Sequence, residues 1–557
     1  MATDYTVSDL IADFLVRCEV ETVFGIVSVH NIPMLDSISR GNRIRYVMTR
    51  GEHGAGHMAD GYGRASGKLG VLFTSTGPGA ANAVGGLIEA RFASTPILHI
   101  TGQTSTKFME RGMGTVHDIP NQRGLMAAAG KTAYTITTPG DAYAILREAV
   151  AEATSVPRGP VTVEVPIDVQ RSAVARPASL DAYELPRFPP LRPSEAEMAA
   201  LVEIVAGSKR PVLWLGRGAA GAGRPAEALL AMGVGMVTSW AGRGVVSEDH
   251  PQNLGALNGG GHELIEKFYE TVDLMLVAGS RVRGHETQDF SARLPKRMVQ
   301  IDVDPRADGR TFANAGFVNG DACLVLEELV QRLKGRFAVE PGYPEAFKRL
   351  KVDARESFKR TLGAYASFAD QLAAVMPKDA IWARDITINN STWGNKLLPL
   401  RDTTTNIYPI GAGIGQGMCL GIGAALAAKG RKTIVLIGDG GLALSLPELW
   451  TAIQEQLDIT IIVANDNGYG VIRHIQDKAA GGRRRFDTLL SPDLAELAKV
   501  AGLPFWRVSK SGDFGGMVAK ALAVRGPAMV EIDMRTIGEH PPYFPYAPKV
   551  PAEAPVG

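Results

Sequence analysis

Short apolar runs recur along this chain, each followed by a stretch of helical length before the next run begins. Residues 71–74 lead through Gly77-Pro78-Gly79 into a small-residue helix and then a second run at 96–100, one β-α-β unit. The pattern continues at 161–165, 210–215, 272–277, 298–304, 433–437, 459–464 and 528–532. Strands separated by helices cannot close as hairpins; they pair in parallel, with the crossovers covering the sheet faces. Two proline-marked breaks, 177–193 and 334–360, divide the chain, the second running into a helix. The reading is α/β, with three doubly wound parallel-sheet domains over 1–175, 190–340 and 360–540. A tail at 541–557 reads as extended chain or a lid, because prolines after His540 preclude a helix.

The 557 residues carry a net charge of +1, which gives no basic field for nucleic acid. No run of about 18 apolar residues occurs, so no membrane span is expected, and no charged leader precedes an apolar stretch at the N-terminus. Cys18, Cys323 and Cys419 lie far apart and fit neither a zinc site nor a disulfide framework, which points to a reducing, cytoplasmic location. Glycine is in excess, at 63 residues, as tight turns and close approach to phosphates require.

The strongest local signal is Ile437-Gly438-Asp439-Gly440-Gly441 at the end of one run. Its counterpart is Asn465-Asp466-Asn467-Gly468-Tyr469-Gly470 at the end of the next, with a helix read at 447–456 between them. Two carboxylates then stand at the carboxyl ends of neighbouring parallel strands, where open α/β sheets bind ligands. Taken singly, Asp-Gly and Asn-Gly are common turn pairs. At this spacing, hard oxygen ligands for Mg²⁺, completed by phosphate oxygens and water, account for both. Gly438, Gly440 and Gly441 let backbone N–H groups approach a diphosphate at a helix N-terminus. Near the other end of the chain, Arg50-Gly51-Glu52 opens a helix rich in small residues. By itself Glu52 is a first-turn glutamate favoured by the helix dipole.

Together these strings resemble the thiamine-diphosphate-dependent 2-oxoacid decarboxylases and acetolactate synthases. The match runs through Arg50-Gly51-Glu52, Met58-Ala59-Asp60-Gly61-Tyr62-Gly63-Arg64, Gly77-Pro78-Gly79, and the pair of loops around Asp439 and Asp466. The resemblance implies a pyrimidine-binding domain, a central Rossmann-like domain and a diphosphate-binding domain. It implies thiamine diphosphate and Mg²⁺ as cofactors, held between two subunits of a homodimer or homotetramer. Glu52 is then the carboxylate that activates the cofactor, with Gly77 and Asn82 in the pyrimidine loop. Asp439, Asp466 and the carbonyl of Gly468 fall on the metal ligands, and Asn467 beside them on the cofactor. Asp466 departs from the family's usual asparagine, so Asn465 and Asn467 are alternative ligands. Ala412 and Ile414, in Gly411-Ala412-Gly413-Ile414-Gly415, fall on the residues that accept the 4′-amino group and wedge the cofactor into its bent shape. Asn389 falls on a diphosphate donor.

Which electrophile meets the cofactor is left to side chains around it. His30, beside Val29, aligns with a histidine of benzaldehyde lyase; His117 falls near the histidines of pyruvate decarboxylases, or the glutamine of benzaldehyde lyase and acetolactate synthase. Proton transfer is their expected role. Val29, Val471 and Ile475 are candidate pocket walls, Val471 and Ile475 being one helical turn apart and equally readable as core. Ile475 stands where acetolactate synthases carry a tryptophan, which weighs against that activity. Arg483-Arg484-Arg485 reads as a solvated loop, with an anionic substrate as the alternative. The expected reaction is nonoxidative decarboxylation of a 2-oxo acid. A lyase for acyloins or 2-hydroxyacyl-CoA and an acetolactate synthase are alternatives, so the substrate is a small 2-oxo acid, aldehyde or acyl-CoA. A flavin- or nicotinamide-dependent oxidoreductase rests only on Gly216-Arg217-Gly218-Ala219-Ala220-Gly221, with no acidic residue about 20 positions on. That loop leaves the central domain open to FAD, ADP or no ligand.

Overall fold

The structure, a computed structural model, describes residues 5–542. All but two residues of the expected tail, 543–557, lie outside them. Three sheets are present, and every strand pair in them is parallel. The first contains β1 (Thr22–Gly25), β2 (Arg45–Met48), β3 (Gly70–Thr74), β4 (Ile97–Gln103), β5 (Thr132–Thr135) and β6 (Pro160–Pro166), in the order β2-β1-β3-β4-β6-β5. The second contains β7 (Pro211–Leu215), β8 (Gly235–Thr238), β9 (Leu274–Ala278), β10 (Met298–Asp302) and β11 (Gly316–Asn319), in the order β11-β10-β9-β7-β8. The third contains β12 (Ile381–Arg384), β13 (Asn406–Ile407), β14 (Thr433–Gly438), β15 (Ile459–Asn465), β16 (Phe505–Val508) and β17 (Ala528–Asp533), in the order β13-β12-β14-β15-β17-β16. The fold class is therefore as the sequence implies. The first and third sheets share one strand order.

The central strands are buried on both faces, which explains why they read as unbroken apolar runs rather than alternating ones. The stretch 174–194 has neither helix nor strand, in keeping with its prolines. The second break is shorter than the sequence suggests. Its charged residues belong to an 18-residue helix, Tyr343–Arg360, whose Tyr343, Phe347, Leu350, Ala354 and Phe358 recur at helical spacing and enter a core shared by the second and third sheets.

Four helices position the site: α1 (Glu52–Ser66), α2 (Gly417–Ala427), α3 (Asp439–Ser445) and α4 (Gly470–Ala479). Helices α1 and α2 cross at backbone contact, and only glycine permits it: a Cβ on Gly61 would lie 2.0 Å from the carbonyl oxygen of Leu420, and one on Gly423 1.9 Å from that of Met58. The core formed there joins the first and third sheets of the same chain. The segment after β14, read as a glycine loop leading to a helix at 447–456, is itself helical from Asp439 on. The helix expected at 447–456 is a 3₁₀ turn, Leu446–Glu448, followed by Leu449–Gln454. Burial of Gly440, Gly441 and Leu442 against the sheet outweighs the low helix propensity of glycine.

Candidate active site

The carboxyl ends of β1 to β4 carry one group of side chains. Glu52 is the first residue of α1, capped by the extended Gly51, and its carboxylate is buried. Asn82 Nδ2 donates to Glu52 Oε2 at 3.3 Å. Gly79 makes room for the other oxygen: its Cβ would lie 2.6 Å from Glu52 Oε1. Gly77 adopts φ +57°, and a Cβ there would lie 2.0 Å from the carbonyl oxygen of His117, so only glycine serves at this turn. Its N–H donates to Gln122 Oε1, and Gln122 Nε2 donates to Glu164. His30 and His117, from the loops after β1 and β4, stand with ring centroids 5.2 Å apart. Burial, and then the neighbouring His117, lower the pKa of His30 below the ordinary imidazole value. It is therefore neutral at pH 7 and able to accept a proton. Ser75 Oγ, Thr104 Oγ1 and His30 Nδ1 are buried without hydrogen-bond partners. Orphaned polar atoms at the mouth of a sheet are what a site built for a polar ligand leaves when the ligand is removed.

The third sheet carries the second group. Asp439 opens α3 and is held by three donors: Ser491 Oγ at 2.5 Å, Gly468 N at 3.1 Å and Asp466 N at 3.4 Å. Burial, and then repulsion from Asp439, push the Asp466 carboxyl up to about 7. Two carboxylates so placed disfavour joint ionisation unless a cation joins them. Asn465 is turned away: its Nδ2 donates to Glu531 and its Oδ1 accepts from Asn467 N. Asn467 adopts φ +52°, and its side chain enters none of these bonds. Among the described residues no three His, Cys, Asp or Glu side chains converge on one point. A metal at this place would draw on two carboxylates plus carbonyl, phosphate and water oxygens, a donor set that suits Mg²⁺.

Ala412 (φ +64°) and Gly415 (φ +78°) shape the loop before α2, and Ile414 is partly exposed on it. Two features that sequence reasoning missed hold this loop. Asp385, at the end of β12, accepts from Gly415 N, Gly417 N and Ile386 N. Glu89 accepts from Ile410 N and Gly411 N while pairing with Arg64, which also binds Asp60 and the carbonyl of Tyr408. Burial nevertheless raises Asp385 to about 6. A carboxylate directly after a strand, the signal that singled out Asp439, was present at Asp385 as well.

Other expected residues divide. Asn389 is not brought to this group: Trp393 Nε1 donates to its Oδ1 at 2.7 Å and its Nδ2 points to Met534 Sδ. Buried aromatic packing around Trp393 captures it. Val29 is exposed and Ile475 partly so, whereas Val471 packs against the core. Arg484 pairs with Asp477 and Glu539. A cavity of about 310 Å³ opens beside Asp466, lined by Arg473, His474, Arg535 and His540. A second, of about 420 Å³, lies at the carboxyl ends of β7, β9 and β10, lined by Arg217, Arg281, Arg310, Asp302 and Asp304. No helix among the described residues is long and apolar enough to cross a membrane.

Comparison with known proteins accords with this geometry. Residues 5–125 match the N-terminal TPP binding domain of thiamine pyrophosphate enzymes, 198–329 the central domain, and 388–532 the C-terminal TPP binding domain. A probable 2-ketoarginine decarboxylase of Pseudomonas aeruginosa is 33% identical over 84% of this chain and 83% of its own length. An acetolactate synthase large subunit of Corynebacterium glutamicum is 27% identical over 94% of this chain and 86% of its own. The isozyme 1 large subunit of Escherichia coli acetolactate synthase is 26% identical over 85% and 84%. Glu52 and Asn82 on one sheet, Asp439 and Asp466 on another, and three matched domains in order lead to one conclusion: this chain is a thiamine-diphosphate enzyme of the 2-oxoacid decarboxylase and acetolactate synthase superfamily.

Proposed function

We propose that the protein catalyses nonoxidative decarboxylation of a 2-oxo acid. The observation that carries this reading is His30 beside His117, ring centroids 5.2 Å apart, on the same sheet edge as Glu52, together with the greater likeness to a decarboxylase than to the synthases named above. Thiamine diphosphate, held by the residues named below, would supply a nucleophilic carbon and an electron sink for the decarboxylation. Glu52 holds the proton exchanged with the aminopyrimidine, and Asn82 fixes the orientation of its carboxylate. His30 and His117 move protons to and from the substrate-derived oxygen and carbon. Asp439, Asp466 and the Gly468 carbonyl hold Mg²⁺, and Asn467, Gly438, Gly440 and Gly441 face the diphosphate. The loop of Ala412 and Ile414 receives the pyrimidine.

The active unit is a homodimer. Within one chain, Glu52 and Asn82 make no hydrogen bond or ion pair to Asp439 or Asp466 among the described residues. The start of α1 meets the third domain instead through Arg50 N and Glu448. Val27, Val29, Met113 and Val116 on the first domain and Ile414, Leu444, Ile472 and Ile475 on the third are exposed apolar residues. A second copy would cover them and join the two half-sites. The cavity at the carboxyl ends of β7, β9 and β10, with Arg217 and Arg281 in its lining, would be the place to hold FAD or ADP.

A substrate panel with thiamine diphosphate and Mg²⁺ tests the proposal. CO2 release from 2-oxo acids supports it. Aldehyde release from acyloins or 2-hydroxyacyl-CoA without CO2 rejects it in favour of the lyase alternative, and acetolactate formed from pyruvate rejects it in favour of the synthase.

A further inference from the structure

Arg473, in the first turns of α4, reaches back over the loop that carries Asp466. Its Nη1 lies 3.2 Å from Asp466 Oδ2 and 3.2 Å from the Asp466 carbonyl oxygen; Nη2 lies 3.2 Å from the carbonyl oxygen of Asn467. On its other side Nε donates to Asp487 Oδ2 at 2.8 Å. All three side chains are largely buried, at 16%, 18% and 10% exposure for Arg473, Asp466 and Asp487. The guanidinium therefore joins two strips of chain. Residues 487–491 run antiparallel to the loop through the Gly468 and Thr488 bridge, with Tyr469 N bonded to the Asp487 carbonyl and Leu489 N to that of Asn467. The strip ends at Ser491, whose hydroxyl donates to Asp439. Gly468 leaves the room: a Cβ there would lie 2.2 Å from Arg473 Nη2 and 2.1 Å from the Asp487 carbonyl oxygen.

A fixed cation this close to a proposed metal ligand would ordinarily weaken the site. Here it faces a second carboxylate, Asp466, next to Asp439. We infer that Arg473 is a positioning residue whose charge offsets that of Asp466, so that the pair presents to a divalent metal the charge of one neutral oxygen donor. The same guanidinium clasps the metal loop to the 487–491 strip. Its planar fork meets carboxylate and carbonyl oxygens at once, which an ammonium could not do with the same geometry. This rests on the Mg²⁺ reading of Asp439, Asp466 and Gly468.

The test counts bound Mn²⁺ by electron paramagnetic resonance at saturating thiamine diphosphate, a readout independent of turnover. Asp466→Asn alone leaves the guanidinium without its counter-charge at the metal, and Mn²⁺ affinity should fall on the order of tenfold or more. Asp466→Asn with Arg473→Gln restores the net charge and keeps amide donors toward Asp487 and Asn467. Its affinity should return to within about threefold of the parent. If the double variant binds Mn²⁺ no better than Asp466→Asn, Arg473 is only a brace for the loop and the inference fails. Unchanged affinity in Asp466→Asn also overturns it. A parent protein that binds no Mn²⁺ with thiamine diphosphate present would overturn the metal reading itself, which separates the two failures.

Discussion

The first and third sheets are the same scaffold used for opposite tasks. Both are six-stranded and parallel with equivalent strand order, and both carry their candidate site residues at the carboxyl ends of the strands. On the first sheet those ends carry groups that can exchange protons, Glu52, His30 and His117, with buried polar atoms left unsatisfied around them. On the third they carry carboxylates held in place by backbone N–H groups and a guanidinium. Several backbone N–H donors and a guanidinium fix the second set, whereas in the first set Glu52 has one side-chain donor, Asn82, and His30 Nδ1 has no partner. The difference teaches that topology determines where a site stands, while the loop sequences decide whether it binds or reacts.

If that division is right, variants on the two sheets should fail in different ways. Glu52→Gln should lower C2 proton exchange of the cofactor, followed by deuterium incorporation, by about 10²–10⁴-fold while leaving cofactor affinity intact. Near-normal exchange would remove Glu52 from its role and erase the contrast. Asp439→Ala should act the other way, with cofactor and metal affinity falling together by at least about 100-fold, read by equilibrium dialysis with and without Mg²⁺. Unchanged binding would count against the third sheet as the cradle.

The smallest effect is expected at Asp385, where the third sheet holds a carboxylate against the cost of burial. Its folded pKa of about 6 lies above the ordinary 3.8. Between those values the folded protein keeps a proton that the unfolded chain has released, so this residue's contribution to stability falls as pH rises through the window. Thermal melts of Asp385→Asn against the parent should show the variant gaining relative stability from pH 4 to pH 7 and levelling off above. A difference independent of pH would mean that the three N–H donors, rather than burial, dominate there.

Much of this was legible before any coordinates. The buried strands announced themselves as apolar runs, and the helix at Glu52 read as rich in small residues; the partner it packs closely against, α2, at Gly61 and Gly423, came from the structure. Asp439 stood out because two strand-end carboxylates lay at the spacing of one crossover, whereas Glu52, by itself a first-turn glutamate, was picked out by the family resemblance of the string around it. Other features carried no local mark. Asn389 follows a strand as a donor should, yet a bond from Trp393 turns it inward. Arg473 carries no mark in the sequence, and only the return of 487–491 across the loop reveals its partners.

Sequence by itself therefore determined the scaffold and the family, and named the candidates for both halves of the cofactor site, because strand period, glycine placement and strand-end carboxylates are local properties. The tertiary structure decided which neighbours those residues keep. It paired His30 with His117, set Asp466 rather than Asn465 beside Asp439, and tied the Ile410–Gly411 backbone to Glu89. Hydrogen bonds and charges act over a few ångströms in space, and residues in such contact are here separated by as many as 410 positions in the chain, as Arg45 and Glu455 are.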